Sequence, residues 1–474
     1  MKPTELITVS AILTIALTGC ATFQPKPISP EQTAAAFEAR SLANAGLKKF
    51  MEINLRHAIA PWPPNAWTFP MLTLVAFYYH PDLDLARAKW RAAEAAIITA
   101  GGRPNPTVGF TPEFNANTAS KVSPWIFSPT FDLPIETAGK RGYRVAEAEQ
   151  LSEAARLAIA GAAWQVRSRL RRRFLDLYMA IQKQALLEKQ QTDQEEIVKV
   201  LEQRLEAGEA SEPDVTQARI ALRQTTLGLR DAQKQSAEAR VRVADALGLP
   251  VEALDHVALS FDIFDHVPPI RNLPRQNVQR QALLGRPDIS AALAEYAASQ
   301  SDLQLAIAKQ YPDIHLGPGY KWDQGDNKWS FGISLTLPIF NQNQGPIAEA
   351  EVRRKKAAVR FAALQAGIIG EVDRSLAGYG VALQKLATAD ALVAEQKKQL
   401  QSAEELFKAG AADRVALGGA LLELDAIEIA RSDTLVTAQQ SLGRLEDSMQ
   451  HPIGTRGFPA NLETDPRSEK GNTE

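Results

Sequence analysis

The stretch LPIFNQNQGPIAEAEVRRKK, Leu337–Lys356, passes from an apolar run to a long charged one across Asn341, Gln342, Asn343, Gln344 and Gly345. A similar passage, LPIETAGKRGYRVAEAE at Leu133–Glu149, lies roughly 200 residues earlier. Pro338 confines strand pairing to the end of its element. The amide side chains of Asn341–Gln344 can bond backbone groups as the chain turns. Gly345 is expected to permit the tight swivel, and Pro346 suits a first helical turn. Glu349 and Glu351 then lie in the opening turns, where the helix dipole favours acids. The earlier copy turns through Glu136, Thr137, Ala138 and Gly139.

Other matches keep the same order. His80-Pro81-Asp82 answers Arg286-Pro287-Asp288, and Leu205-Glu206-Ala207-Gly208 answers Phe407-Lys408-Ala409-Gly410. Gly248-Leu249-Pro250 ends the first unit, and Pro452 follows the second. An ordered series of this kind points to duplication. Each unit reads as a helix of about 20 residues, two strands, a very long helix, a Gly-containing turn and a shorter helix. The helices are Asp82–Ala100, Lys140–Glu206 and Pro213–Leu247, then Asp288–Gln310, Gly345–Lys408 and Asp413–Met449. At 1.5 Å per residue the long ones span roughly 95–100 Å. The first and third helices of a unit, end to end, can run alongside the second. Such lengths point to coiled-coil packing or a helical tube.

The strands alternate. Trp329, Phe331, Ile333, Leu335 and Leu337 interleave with Ser330, Gly332, Ser334 and Thr336. Val108, Phe110, Pro112 and Phe114 do so in the first strand, and Trp125, Phe127, Pro129, Phe131 and Leu133 in the second. Ile314, Leu316, Pro318, Tyr320 and Trp322 complete the third. Period two marks a half-buried strand. Nine to eleven residues is also the length that a tilted strand needs to cross a bilayer. Trp125, Trp322 and Trp329 lie near the hairpin loops, where an aromatic girdle would stand. The soluble alternative is a small sheet packed on the helices. Four strands cannot close a barrel, and open edges are not tolerated in lipid. Several copies must then pool them, and three copies give twelve strands.

The chain has 474 residues, 28 Gly, 28 Pro and a formal charge of -2, with no sign of a nucleic-acid partner. Lys2 precedes the apolar run Leu6–Leu17, which is too short for a permanent span and fits a signal peptide. Leu17-Thr18-Gly19-Cys20 resembles the lipobox of bacterial lipoproteins. That resemblance implies lipid on Cys20 and, with no Asp at position 21, an outer-membrane destination. Cys20 is the only cysteine, so there is no internal disulfide.

Together the NQNQG turn, the twin Ala-Gly turns and Trp67-Thr68-Phe69 leading to His80-Pro81-Asp82-Leu83 resemble the TolC-like family of bacterial outer-membrane efflux channels. Within it they are similar to the CzcC-type heavy-metal efflux lipoprotein branch. The likeness runs from about Pro61 to Pro452. It implies a mainly α fold with a membrane β-barrel portion: a homotrimer that closes a 12-stranded barrel above a long α-helical barrel. It further implies a passive exit duct, served by a periplasmic adaptor (membrane fusion) protein and an inner-membrane pump of the RND type. The expected organisation is a signal peptide over 1–19, a lipid anchor and periplasmic tether over 20–70, and a first repeat over 71–252. A linker over 253–280, a second repeat over 281–452 and a polar tail over 453–474 follow.

The resemblance places the Ala-Gly turns at the periplasmic tip. Gly208, Glu209, Glu212, Asp214, Gly410, Asp413 and Asp425 are its candidate gate residues. Acids at a constriction gather cations; helix capping by Asp214 and Asp413 is the plainer reading. Glu113, Asp132, His315 and Lys321 fall on the polar phase of the strands and are candidates to face the lumen. Arg167, Arg169, Arg171, Arg172 and Arg173 read mainly as a solvated face, with some pairing to acids on a neighbouring helix. No Walker, dinucleotide-binding or HExxH motif occurs, and the six histidines are scattered. No enzyme, cofactor or metal site is expected. The rival reading is a lipid-anchored periplasmic structural or adaptor-like coiled-coil protein.

Overall fold

The computed structural model describes residues 21–453 and 462–467. The signal peptide over 1–19, Cys20 and most of the polar tail lie outside the described residues. Two compact units divide at Ser41–Leu42. The first carries one described helix, α1 (Pro30–Glu38), capped by the Ser29 side chain and without a buried residue.

The second unit begins with α2 (Ala45–Leu55) and α3 (Phe69–Tyr79). Asn44 starts α2 by accepting from the N–H groups of Gly46 and Leu47. Apolar nearly all round, α3 is correspondingly buried, with Leu72, Val75 and Phe77 fully enclosed. Next come α4 (Pro81–Ala100), β1 (Thr107–Phe114), β2 (Trp125–Ile135), α5 (Lys140–Glu206) and α6 (Glu212–Leu247). The inter-repeat segment holds three short 3-10 turns and α7 (Arg275–Gly285). The second repeat is α8 (Pro287–Ala308), β3 (Ile314–Asp323), β4 (Asp326–Leu335), α9 (Gln344–Lys408) and α10 (Arg414–Met449).

α4 and α6 both lie along α5, and α8 and α10 both lie along α9. The junction of α6 with the start of α4 is tight. Gly248 has φ +72°, and a Cβ there would stand 3.0 Å from the Tyr79 carbonyl oxygen. α5 also packs on α8 and α10, which joins the repeats. The core is thickest at the waist: α3, Ile159–Ala180 of α5, the end of α6, and Leu435, Val436 and Ala438 of α10. A second cluster joins α7 to α9 and α10 through Val278, Ala282, Val372, Tyr379 and Leu445.

The four strands form one antiparallel sheet in the order β1-β2-β3-β4. The register sets like against like: Phe110 faces Pro129, Phe127 faces Trp322, Leu316 faces Ile333 and Tyr320 faces Trp329. Thr111 meets Ser128, Thr130 meets Gly319 and His315 meets Ser334. One face is therefore apolar across all four strands, and the other is small or polar.

Two expectations need correction. The swivel before α9 is made by Asn343, at φ 65°, whereas Gly345 already lies inside the helix. Asn tolerates the left-handed region, and here its N–H bonds Asn341 Oδ1 while its side chain reaches the Ala306 carbonyl. Its counterpart before α5 is Gly139, at φ 72°. Among the five arginines, Arg167 and Arg171 are not solvated: both are buried at the waist.

Candidate functional site: the polar sheet face and the helical turns

Neither face of the sheet is closed in this chain. Phe110, Phe331 and Ile333 on the apolar face are each more than half exposed, and Trp329 is 81% exposed. On that face Phe127 stacks with Phe110, Trp125 and Trp322. The register puts Glu113, Asp132, His315 and Lys321 on the opposite face. It brings two of them together: His315 Nδ1 lies 3.0 Å from Asp132 Oδ2. Glu113 stands opposite Ile126, and Lys321 opposite Lys328. Lys328 also pairs with Asp323.

The first turn from strand to long helix is braced from the second repeat. Thr137 donates through its N–H to Asp313 and through its hydroxyl to the Pro312 carbonyl. Lys140, almost buried, bonds both Asp313 and the Tyr311 carbonyl at 2.7 Å. Of Asn341, Gln342, Asn343, Gln344 and Gly345, the first four make the local bonds, including Gln342 N–H to Gln344 Oε1 at 3.1 Å.

At the opposite end, Gly208 (φ +75°) and Gly410 (φ +71°) take the left-handed conformation that ends a helix. Asp214 accepts from the N–H and the hydroxyl of Ser211, which closes the start of α6. Those bonds hold its carboxyl below the ordinary range. Glu212 opens the same helix, exposed. Asp413 caps α10 through the Ala416 N–H at 2.8 Å and pairs with Arg204 at 2.6 Å. The N–H of Ala416 and then Arg204 lower its pKa. Arg204 also approaches Glu209 at 3.9 Å, so one side chain joins the two turns. A cation in the last turn of a long helix was the available sign of it.

Asp425 stands apart from these turns. It is completely buried on α10 and receives Lys189 Nζ at 2.6 Å. Arg414 pairs with Glu196 nearby. Among the described residues no three His, Cys, Asp or Glu side chains are grouped to hold a metal ion.

The family described as outer membrane efflux protein matches residues 76–249 and 278–449, one stretch for each repeat. The chain belongs to this family. It is 25% identical over 284 residues to the cobalt-zinc-cadmium resistance protein CzcC of Cupriavidus metallidurans, covering 60% of this chain and 65% of that one. It thus spans somewhat less than two thirds of that relative. Among solved structures, the outer-membrane channel OprN superposes with a TM-score of 0.66 at 19% identity, covering 90% of this chain and 99% of OprN. CusC superposes with a TM-score of 0.66 at 18% identity, with the same coverages. The mainly α-helical, TolC-like fold with its partial sheet is thereby established.

Proposed function

We propose that the protein is the outer-membrane channel of a tripartite efflux system. Three copies pool their sheets into a closed 12-stranded barrel and their helices into a tube across the periplasm. It is a passive, non-enzymatic duct. The carrying observation is the exposed apolar face of a sheet whose outer strands, β1 and β4, each have one free edge. In lipid such a face is stable and such edges are not, so the edges must pair with other copies.

The duplication supports the same assembly. α8 packs along both α5 and α9, whereas its repeat partner α4 packs along α5 only. The missing neighbour of α4 is the α9 of a second copy. Leu85 and Ile98 of α4, and Val352 and Val359 of α9, are exposed in one chain and available for that contact. A sheet packed on its own helices, as a periplasmic scaffold would need, is disfavoured by the same exposure.

In this reading Asn341, Gln342, Asn343, Gln344 and Gly345 form the strand-to-helix turn at the periplasmic surface of the membrane. Glu113, Asp132, His315 and Lys321 line the barrel lumen. Gly208, Glu209, Glu212, Asp214, Gly410 and Asp413 form the tip, which meets the adaptor and gates the pore. Cys20 carries the lipid. The inner-membrane pump, of the RND type, chooses the cargo. Likeness to CzcC makes heavy-metal cations the first class to test, with drugs the second. Electron cryo-microscopy of full-length protein extracted from outer membranes tests the proposal. A threefold tube with a 12-strand cap is expected; a monomer with its strands folded onto its helices would overturn it.

A further inference from the structure

The seam between α5 and α10 holds ionisable groups that a water-filled duct does not require. Asp425 lies about 18 Å along α10 from the capping residue Asp413 and is wholly removed from solvent. Lys189 occupies its Oδ1. Its Oδ2 is buried and meets no hydrogen-bond donor among the described residues. Asp193, one turn beyond Lys189 on α5, shares that lysine's helix face and lies beside Asp425. The Oδ2 of Asp193 is likewise buried and without a donor.

Two ionised carboxylates in that arrangement offer only acceptors to one another, and like charges in contact do not both ionise readily. A single proton removes the conflict. It converts two orphaned oxygens into an O–H···O⁻ bond, the stronger, charge-assisted kind. Its location follows from the neighbours. Lys189 already donates to Asp425, so the proton falls to Asp193. The other charged groups facing the cluster are already paired: Glu196 on α5 with Arg414, and Glu428 on α10 with Lys397 from α9.

We propose that Asp193 and Asp425 bind one proton between them above the ordinary Asp range, and that this proton holds α5 against α10 between the waist and the turns. Burial and the adjoining Asp425 charge raise the Asp193 pKa, in agreement with that placement. Because the folded value is raised, the stabilisation is complete at low pH and is lost as pH rises through it. Above that point Lys189 faces two carboxylates, and the seam carries an unbalanced negative charge. The proton site is independent of the channel reading. Its bearing on opening rests on the channel reading, in which the turns are the moving end.

The test uses the full-length protein, isotopically labelled at the aspartate carboxyl carbon, in lipid nanodiscs. Infrared difference spectra across a pH titration report protonated carboxyl groups without any need for conductance. One protonated aspartate per chain is expected to persist well above the ordinary Asp range and to vanish in Asp193→Asn, whose amide still donates to Asp425. Absence of that signal above the ordinary Asp range, or its survival in Asp193→Asn, would overturn the assignment. Spin labels at Gln203 and Ala416 then read the seam. The distance is expected to lengthen with rising pH in the parent and to stay fixed in Asp193→Asn. An equal response in both, or none in the parent, would detach the proton from the seam while leaving the infrared result to stand. Failure to conduct would count against the channel reading alone.

Discussion

Arg171 and Glu446 meet 3.3 Å apart inside the helical packing, each almost wholly removed from solvent. Glu446 also receives Arg167 at 3.4 Å and the Ile453 N–H at 2.9 Å. Arg171 bonds the carbonyl and side chain of Gln439, and lies over the Phe264 ring. Gln439 in turn donates to the Phe264 and His266 carbonyls. One acid on the last helix thus fastens the middle of α5, the inter-repeat segment and the chain beyond α10. Burial lowers the Arg171 pKa, and it pushes the nearby Tyr379 hydroxyl up to about 12.

Glu446→Ala is therefore expected to cost about 3–5 kcal/mol, because it strands two buried guanidinium groups. Glu446→Gln, which keeps an acceptor, should cost less. Thermal or denaturant unfolding of the purified protein measures both. A loss of about 0–1 kcal/mol, the size of a surface pair, would show that water reaches the waist.

Replacing Ile333 and Leu335 together with Asp is expected to abolish membrane assembly while leaving the helical repeats folded. Both residues lie on the apolar face of β4 and are largely exposed in a single chain. A charge on the lipid face of a barrel strand is destabilising to a degree set by its depth. Membrane fractionation and heat-resistant oligomers on gels are the readouts. Normal oligomers in the outer membrane would mean that this face does not meet lipid.

Much of this architecture was legible because the two periodicities differ. Alternation located the strands, since in a strand every second side chain shares a face. Caps and breakers bounded the long helices, where Pro and Gly act locally. The failures were non-local. Phe69–Tyr79 carries no amphipathic phase, because it is enclosed on all sides, so the first helix was expected only from Asp82. Gly345 drew attention as the flexible residue, yet a glycine is not needed where Asn343 can adopt the left-handed region and bond its neighbours. Among the turn residues, Glu209 and Asp413 were visible, but Arg204, which joins them, was not. The burial of Arg167 and Arg171 depends on Glu446, nearly 300 residues away in sequence. No local pattern reports such a partner.

The seam between α5 and α10 offers a test of close approach. A Cβ on Gly418 would stand 2.7 Å from the side chain of Ile197, whereas one on the adjacent Gly419 meets nothing. In a helix, Gly→Ala by itself stabilises by about 0.5–1 kcal/mol. Gly419→Ala should show that gain. Gly418→Ala should forfeit it, and Gly418→Leu should destabilise by about 1–3 kcal/mol through overpacking. Hydrogen exchange along α10 distinguishes the two sites. Equal protection in Gly418→Leu and the parent would mean that the helices do not approach here.

Asp413 serves both as a cap and as an ion-pair partner, and two substitutions separate these roles. Asn is a good N-cap but carries no charge, so Asp413→Asn should retain the start of α10 and lose only Arg204. Asp413→Ala loses both, at about 0.5–2 kcal/mol for the cap and about 0–1 kcal/mol for the exposed pair. Because the folded carboxyl is lowered, its stabilisation is present above the ordinary Asp range and is lost as pH falls through the lowered value. Acid should therefore loosen the turn in the parent, while Asp413→Ala is loose throughout. Hydrogen exchange at Val415–Gly418 measures the cap. Reversal potentials in planar bilayers measure the charge: removing an acid from a constriction should lower cation preference in both variants alike. Lowered preference in Asp413→Ala but not in Asp413→Asn would assign the effect to a disordered turn rather than to a charge facing the pore.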